Sequence, residues 1–228
     1  MSSLAQQVSV TGLKNRIFTE RQLGEALGGG DARRYGLVNR AIKDGSLIRL
    51  KRGTYMLARS GRDSLVHPFA VAQALLPGSY ISFESALAFH GWIPESVFVQ
   101  ASVTPGRKTV QFDTADFGQF DFHPLALGAY HFLTDIERVS FNSRTAFVAK
   151  PLRALMDLVA LNKIGWTGLD WLTDGMRIDE DALLKSTQTD FESLKNVYKH
   201  ERAKVFLAEL EEAMTEEKSS RYGLKFDD

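Results

Sequence analysis

The chain has 228 residues, of which 28 are basic, 28 are acidic and 44% are hydrophobic. This composition indicates one or two globular domains and excludes a low-complexity chain. With no cysteine, disulfides and cysteine-based zinc sites are excluded, which fits a reducing compartment. We find no secretory leader pattern and no apolar stretch approaching the roughly 18 residues of a membrane span, so we predict a cytoplasmic protein with no membrane contact.

Charge is unevenly distributed along this neutral chain. Residues 1–62 contain 12 basic and 4 acidic residues, whereas residues 63–150 contain 5 and 8, and residues 151–228 contain 11 and 16. A cationic region attracts phosphate, while the acidic remainder favours solubility and suits a basic partner. We therefore expect any nucleic-acid binding to involve the N-terminal region.

Two helices and a hairpin are predicted in that first region. A capping-box pattern at residues 19–22 starts one helix, and the glycines at positions 28–30 end it. Asp31 is predicted as the N-cap of a second helix that Gly45 closes. A short basic hairpin over residues 46–57 follows. This order predicts a winged helix, which is a DNA-binding module.

The second helix and the hairpin carry the candidate DNA-binding side chains. At about 100° per residue, Leu37, Val38, Ala41 and Ile42 share one arc, and the opposite arc is mostly cationic. Gly36 lies on the cationic arc, where a missing side chain lets the backbone approach DNA. An ordinary solvated helix face is the alternative, and the basic hairpin disfavours it. The predicted DNA-binding residues are Arg33, Arg34, Asn39, Arg40, Lys43, Arg49, Lys51 and Arg52.

The middle of the chain combines helices with strands. Residues 58–66 are predicted as a linker, Pro68 lies in the first turn of a helix, and Ser82 caps another helix that reaches Gly91. Alternating apolar and polar residues then predict five strands. These strands cover residues 97–103, 109–114, 117–123, 130–133 and 138–141.

Helices dominate the C-terminal part of the predicted fold. Residues 151–162 form an amphipathic helix, and Trp166 and Trp171 favour burial between helices over a partner surface. The acidic residues 179–181 suit a helix start better than a metal site. One or two long helices are predicted over residues 188–217.

The predicted fold class is therefore α+β, with an N-terminal winged helix-turn-helix followed by a mixed domain that has a mostly antiparallel sheet and C-terminal helices. We predict domains at residues 1–62 and 63–218 and a flexible tail at 219–228.

Two groups of side chains could suggest an enzyme. They are Ser82, Glu84, Ser85 and His90, and Asp113, Asp116, Asp121 and His123. Neither group has the spacing of a catalytic motif, and the chain lacks a phosphate loop, a zinc-protease motif and a dinucleotide fingerprint. We predict no catalytic residues, no metal site and no cofactor.

Four motifs carry a family resemblance. They are Pro77-Gly78-Ser79-Tyr80-Ile81-Ser82-Phe83-Glu84-Ser85-Ala86-Leu87, His90-Gly91-Trp92-Ile93-Pro94-Glu95, Val103-Thr104-Pro105-Gly106-Arg107 and Arg52-Gly53-Thr54-Tyr55-Met56-Leu57. With these motifs the chain resembles the AbiEi antitoxin family over residues 15–162. At residues 151–155, Pro-Leu-Arg-Ala-Leu replaces the family's Pro-Glu-Lys-Ala-Leu pattern and loses its acidic position. The last sixty residues match loosely.

The resemblance implies a transcriptional autorepressor that is also the antitoxin of a type IV toxin-antitoxin (abortive infection) system, which serves phage defence. The implied partners are an operator with inverted repeats in double-stranded DNA and a nucleotidyltransferase-like toxin, with direct toxin contact left open. The alternative is a stand-alone winged-helix regulator whose second domain senses a ligand or a protein.

Overall fold

The computed structural model of this chain describes residues 3–142 and 144–223. Its first elements form the N-terminal module, residues 3–57. They are α1 (Leu4–Ser9), β1 (Phe18–Thr19), α2 (Glu20–Leu27), α3 (Asp31–Lys43), β2 (Leu47–Lys51) and β3 (Thr54–Leu57). The strands form an antiparallel sheet in the order β1-β3-β2. This arrangement has the order of elements that the sequence predicts for a winged helix.

Local sequence explains where the two predicted helices of the module begin. The Thr19 side chain accepts from the Gln22 amide, and the Gln22 side chain accepts from the Thr19 amide, which confirms the predicted capping box. The N-cap of α3 is Gly30, so the predicted cap at Asp31 is wrong by one residue. Asp31 is instead the first helical residue, where its negative charge is still stabilised by the positive end of the helix dipole.

The rest of the described chain contains six strands, β4 to β9, and further helices around a second core. Its elements are α4 (Pro68–Leu75), β4 (Tyr80–Ile81), α5 (Phe83–Phe89), β5 (Val99–Thr104), β6 (Val110–Thr114), β7 (Gly118–Pro124), β8 (Ile136–Phe141), β9 (Arg144–Ala149), α6 (Pro151–Asn162), α7 (Glu180–Leu184), α8 (Gln188–Leu194) and α9 (Glu201–Tyr222). A 3₁₀ turn at Arg59–Gly61 precedes them, and a π-helical turn lies at Trp171–Gly175.

Strands β4 to β9 form one six-stranded sheet in the order β6-β7-β5-β4-β9-β8. The pairs β4–β5, β6–β7 and β8–β9 are antiparallel, whereas β4–β9 and β5–β7 are parallel. The fold is therefore α+β with a mostly antiparallel sheet and C-terminal helices, as the sequence predicts. The strand predicted at residues 130–133 is wrong, because Tyr130 has a φ of 67° and residues 130–133 form turns or irregular backbone.

The β2–β3 hairpin belongs to both cores of the molecule. Leu47 and Leu57 lie in the core of the N-terminal module with the apolar face of α3. Leu50 and Met56, on the other face of the hairpin, lie in the core of the second unit. Since alternate residues of a strand point to opposite faces, the hairpin packs into the N-terminal core on one face and into the second core on the other.

A buried polar network fixes α6 in the second core. Arg153 and Asp157 are both fully buried, and Nε of Arg153 donates to Oδ1 of Asp157 over 2.9 Å. Asp157 also accepts from the hydroxyls of Tyr80 at 3.0 Å, Ser82 at 2.7 Å and Tyr198 at 2.8 Å. Ser82 is the N-cap residue of α5, as predicted, but its side chain makes no cap bond. The Ser82 hydroxyl instead donates its hydrogen bond to the Asp157 carboxylate.

The C-terminal helices cover α6 and the sheet. Trp166 and Trp171 make edge contacts with Phe206 at 5.2 and 5.8 Å between ring centroids, which supports their predicted burial between helices. Asp179 caps α7 through the Ala182 amide, as expected for a helix start. Helix α9 continues through Tyr222, so the predicted start of the tail at residue 219 is too early, and residues 224–228 lie outside the described residues. Among the residues that the structure describes, none of the helices combines the length and apolar character that a membrane crossing requires.

Candidate nucleic-acid interface

Helix α3 presents one exposed polar face and one buried apolar face. Val38 and Ala41 are buried, and Leu37 and Ile42 pack partly against the same core, which confirms the predicted apolar arc. The opposite arc is open to solvent. Its exposed side chains are Arg33, Tyr35, Asn39, Arg40 and Lys43.

A groove separates the exposed face of α3 from the hairpin. Asn39 of α3 and Arg49 and Arg52 of the hairpin line this groove, whose volume is about 620 Å³. Arg49 and Arg52 are exposed, and Arg52 lies with Gly53 in the two-residue turn between the paired Lys51 and Thr54. Gly53 has a φ of 74°, a conformation that glycine adopts without strain. The structure thus brings three of the predicted residues to one concave surface.

Two of the predicted DNA-binding residues are engaged inside the protein. Arg34 forms an ion pair with Asp31 and donates to the carbonyl of Gly29, so its guanidinium closes the loop between α2 and α3. Lys51 donates from Nζ to the carbonyl of Leu75 over 2.6 Å, with the ring of Phe112 5.9 Å away. The structure does not bring these two cations to the groove, because each donates to a backbone carbonyl elsewhere.

An acidic side chain also borders the groove. Glu20, in the first turn of α2, lines the groove with Tyr35 and Tyr55. Burial raises the pKa of Tyr55, the nearby charge of Glu20 raises it further, and the cation of Arg49 partly offsets both effects. Glu20 reduces the positive potential of this surface, since it lies among the cations that would meet phosphate.

Tyr35 is a candidate that the cationic pattern misses. Its side chain is 66% exposed on α3, and it lines the groove beside Asn39. A tyrosine hydroxyl can donate to a phosphate oxygen, and its ring offers an apolar surface to a base or a sugar. Helical periodicity could have identified Tyr35 from the sequence, because Tyr35 and Asn39 are four residues apart and share one face of the helix.

Two of the side chains considered for catalysis, Ser85 and His90, make hydrogen bonds within the fold. Ser85 donates to the carbonyl of Val99 over 3.1 Å and accepts from the Ala101 amide over 2.8 Å. His90 ends α5, where its Nε2 lies 2.9 Å from the carbonyl of Ala149. These hydrogen bonds join α5 to two strands of the large sheet. In residues 3–142 and 144–223, no group of three or more His, Asp or Glu side chains could hold a metal ion.

No protein-family model matches the chain, and a search of curated proteins gives no match either.

Proposed function

We propose that this protein is a DNA-binding transcriptional autorepressor, and that α3 and the β2–β3 hairpin contact the duplex together. The observation that supports this function best is the common groove that Asn39, Arg49 and Arg52 line. Arg33, Arg40 and Lys43 are further exposed cations of α3 that do not line the groove. A helix of this diameter fits the major groove of B-DNA.

The contacts divide into two kinds by chemistry. Arginine suits the N7 and O6 atoms of guanine, and asparagine suits the N6 and N7 atoms of adenine, so Arg40 and Asn39 are the candidates for base recognition. Arg49 and Arg52, on the hairpin, suit phosphates or the minor groove. If about five cations each neutralise one phosphate, log affinity falls against log salt with a slope of about −4.5.

The test is binding to the DNA upstream of the protein's own gene, measured by fluorescence anisotropy between 50 and 200 mM salt. We expect Arg40→Gln, Arg49→Gln and Arg52→Gln each to weaken binding and to reduce the salt slope by about 1. Lys51→Gln is the matched control. It removes a charge from the same hairpin, but the side chain of Lys51 is bound to the carbonyl of Leu75 and does not line the groove. Equal affinities for all four variants and the unmodified protein would refute the proposal.

We also propose that the protein is the antitoxin of a type IV toxin-antitoxin system, which rests on the motifs at residues 77–107 that resemble the AbiEi family. The expected neighbouring gene encodes a nucleotidyltransferase-like toxin. Co-expression with that gene product, scored as rescue of growth, tests this role. The Arg40→Gln, Arg52→Gln double variant should still rescue growth if antitoxicity is separate from repression. Removing residues 1–62 is less suitable, since Leu50 and Met56 belong to the second core.

A stand-alone regulator is the alternative function. It would retain the DNA binding described above, but no neighbouring toxin gene would be present and co-expression would rescue nothing. We assign no catalytic step, cofactor or metal to the chain in either case.

A further inference from the structure

A crevice beside the α3 groove, with which it shares Ile42 and Arg49, is lined by three arginines. It lies between the 3₁₀ turn at Arg59–Gly61 and the turn that joins β6 to β7, and its volume is about 940 Å³. Arg49, Arg59 and Arg62 line it, and Asp116 is the one acidic residue among its described lining residues. This volume is within the range of small-ligand sites.

Arg62 is a buried cation with incomplete hydrogen bonding. Its side chain and backbone are together only 8% exposed, and its Nε has no hydrogen-bond partner. One terminal nitrogen donates to the carbonyl of Ser64 over a long 3.4 Å. Because a buried charge without a partner is destabilising, proteins normally pair such a group with an anion. Within the described chain no acidic side chain forms an ion pair with Arg62.

Arg144, at the start of β9, adds a second buried cation near Arg62. All three of its guanidinium nitrogens are buried without a partner among the described residues. Burial lowers the pKa of Arg144 and the positive charge of Arg62 lowers it further, while burial and the charge of Arg59 lower the pKa of Arg62. Asp116 offsets only part of this effect on Arg62. Arg62 is therefore repelled by two like charges, that of Arg144, whose guanidinium is buried, and that of the exposed Arg59.

We propose that this crevice binds a small phosphate-bearing anion, with Arg62 and Arg59 as the binding side chains and Arg144 as a buried charge that strengthens the attraction. The planar guanidinium fork matches two oxygens of a phosphate group, and the anion would relieve the repulsion between the arginines. A DNA duplex is too large to bring its backbone phosphate to a side chain as buried as Arg62. The crevice adjoins the α3 groove through Arg49, but Arg59 and Arg62 do not line that groove, so their substitution tests anion binding independently of the proposed DNA contacts.

The probes are inorganic phosphate and pyrophosphate, titrated into the full-length protein by calorimetry with sodium chloride adjusted to keep ionic strength constant. We expect saturable binding of one anion per chain for at least one probe. Arg62→Gln should weaken it by about tenfold or more, and Arg59→Gln should weaken it severalfold. Arg107→Gln and Arg52→Gln are controls, because Arg107 is an exposed cation elsewhere and Arg52 lines only the α3 groove. Both should change the dissociation constant by less than about twofold.

Thermal unfolding separates a binding role from a structural one. Phosphate should raise the melting temperature of the unmodified protein above its value in matched chloride, since a ligand that binds only the folded state stabilises it. Arg62→Gln and Arg144→Met should melt no lower than the unmodified protein without phosphate, because each relieves repulsion, and both should lose most of the phosphate response. Absence of saturable binding by both probes, unchanged binding in Arg62→Gln and Arg59→Gln, or loss of binding in Arg52→Gln would overturn the proposal.

Discussion

The buried pair of Arg153 and Asp157 allows the sharpest prediction about stability. Asp157 accepts four hydrogen bonds, and Arg153 is fully buried beside it. Asp157→Asn keeps the size of the side chain but removes its charge, which leaves a buried guanidinium without a counter-ion. Breaking a buried pair in this way costs about 3–5 kcal/mol of the free energy of unfolding. That is a large part of the roughly 5–15 kcal/mol that stabilises an ordinary domain.

A double variant tests whether charge pairing is the cause. Arg153→Met with Asp157→Asn removes both charges, and the Asn side chain can still accept hydrogen bonds from the surrounding hydroxyls. We expect the double variant to lose less stability than the sum of the two single variants, by about 2–3 kcal/mol. Burial, together with the negative charge of Asp157, raises the pKa values of Tyr80 and Tyr198 well above their usual range, so both hydroxyls stay protonated and keep donating at neutral pH.

Urea unfolding followed by circular dichroism at pH 7 measures these differences. Glu25→Gln is the control, since it breaks an exposed ion pair with Arg21 one helical turn away and should change stability by less than about 0.5 kcal/mol. If Asp157→Asn costs less than about 1 kcal/mol, or if the two single effects add within about 0.5 kcal/mol, the pair does not stabilise the core in the way described.

Three further predictions concern the N-terminal module and its neighbour. A Cβ built at Gly36 meets no atom within 4 Å, so Gly36→Ala should raise the free energy of unfolding by about 1 kcal/mol and yet weaken DNA binding, measured by anisotropy, by about threefold or more. Glu20→Gln should tighten DNA binding about twofold in the same assay, because a like charge about 8 Å from a phosphate costs about 0.5 kcal/mol in water; weaker binding would contradict this. Burial lowers the pKa of His67, whose Nδ1 accepts from the Phe69 amide. The neutral imidazole therefore makes its full contribution to the free energy of unfolding above pH 6.5, and this contribution is lost as pH falls below that value. In urea unfolding between pH 7.5 and 5, His67→Asn should lose less stability than the unmodified protein.

Local signals in the sequence predict much of the fold. The capping box at Thr19 and the proline at the first turn of α4 give the starts of two helices, and both agree with the structure. The two-residue strand β4 has too few residues for an alternating pattern to be recognised. The network around Asp157 joins residues up to 77 positions apart, so no short motif contains it. An arginine and an aspartate four residues apart ordinarily indicate an exposed pair, and only the tertiary fold reveals their burial.

The different orientations of the hairpin cations show why the candidate site was only partly predictable. In a regular strand, Arg49 and Lys51 would share a face, because side chains alternate with a period of two. The pairing of β2 with β3 shifts register between these two residues, and such a bulge moves the following side chain to the other face. Lys51 therefore lies on the side of Leu50 and reaches the carbonyl of Leu75, while Arg49 and Arg52 line the α3 groove. A composition count treats all three cations alike, whereas one irregular residue decides which of them line the α3 groove.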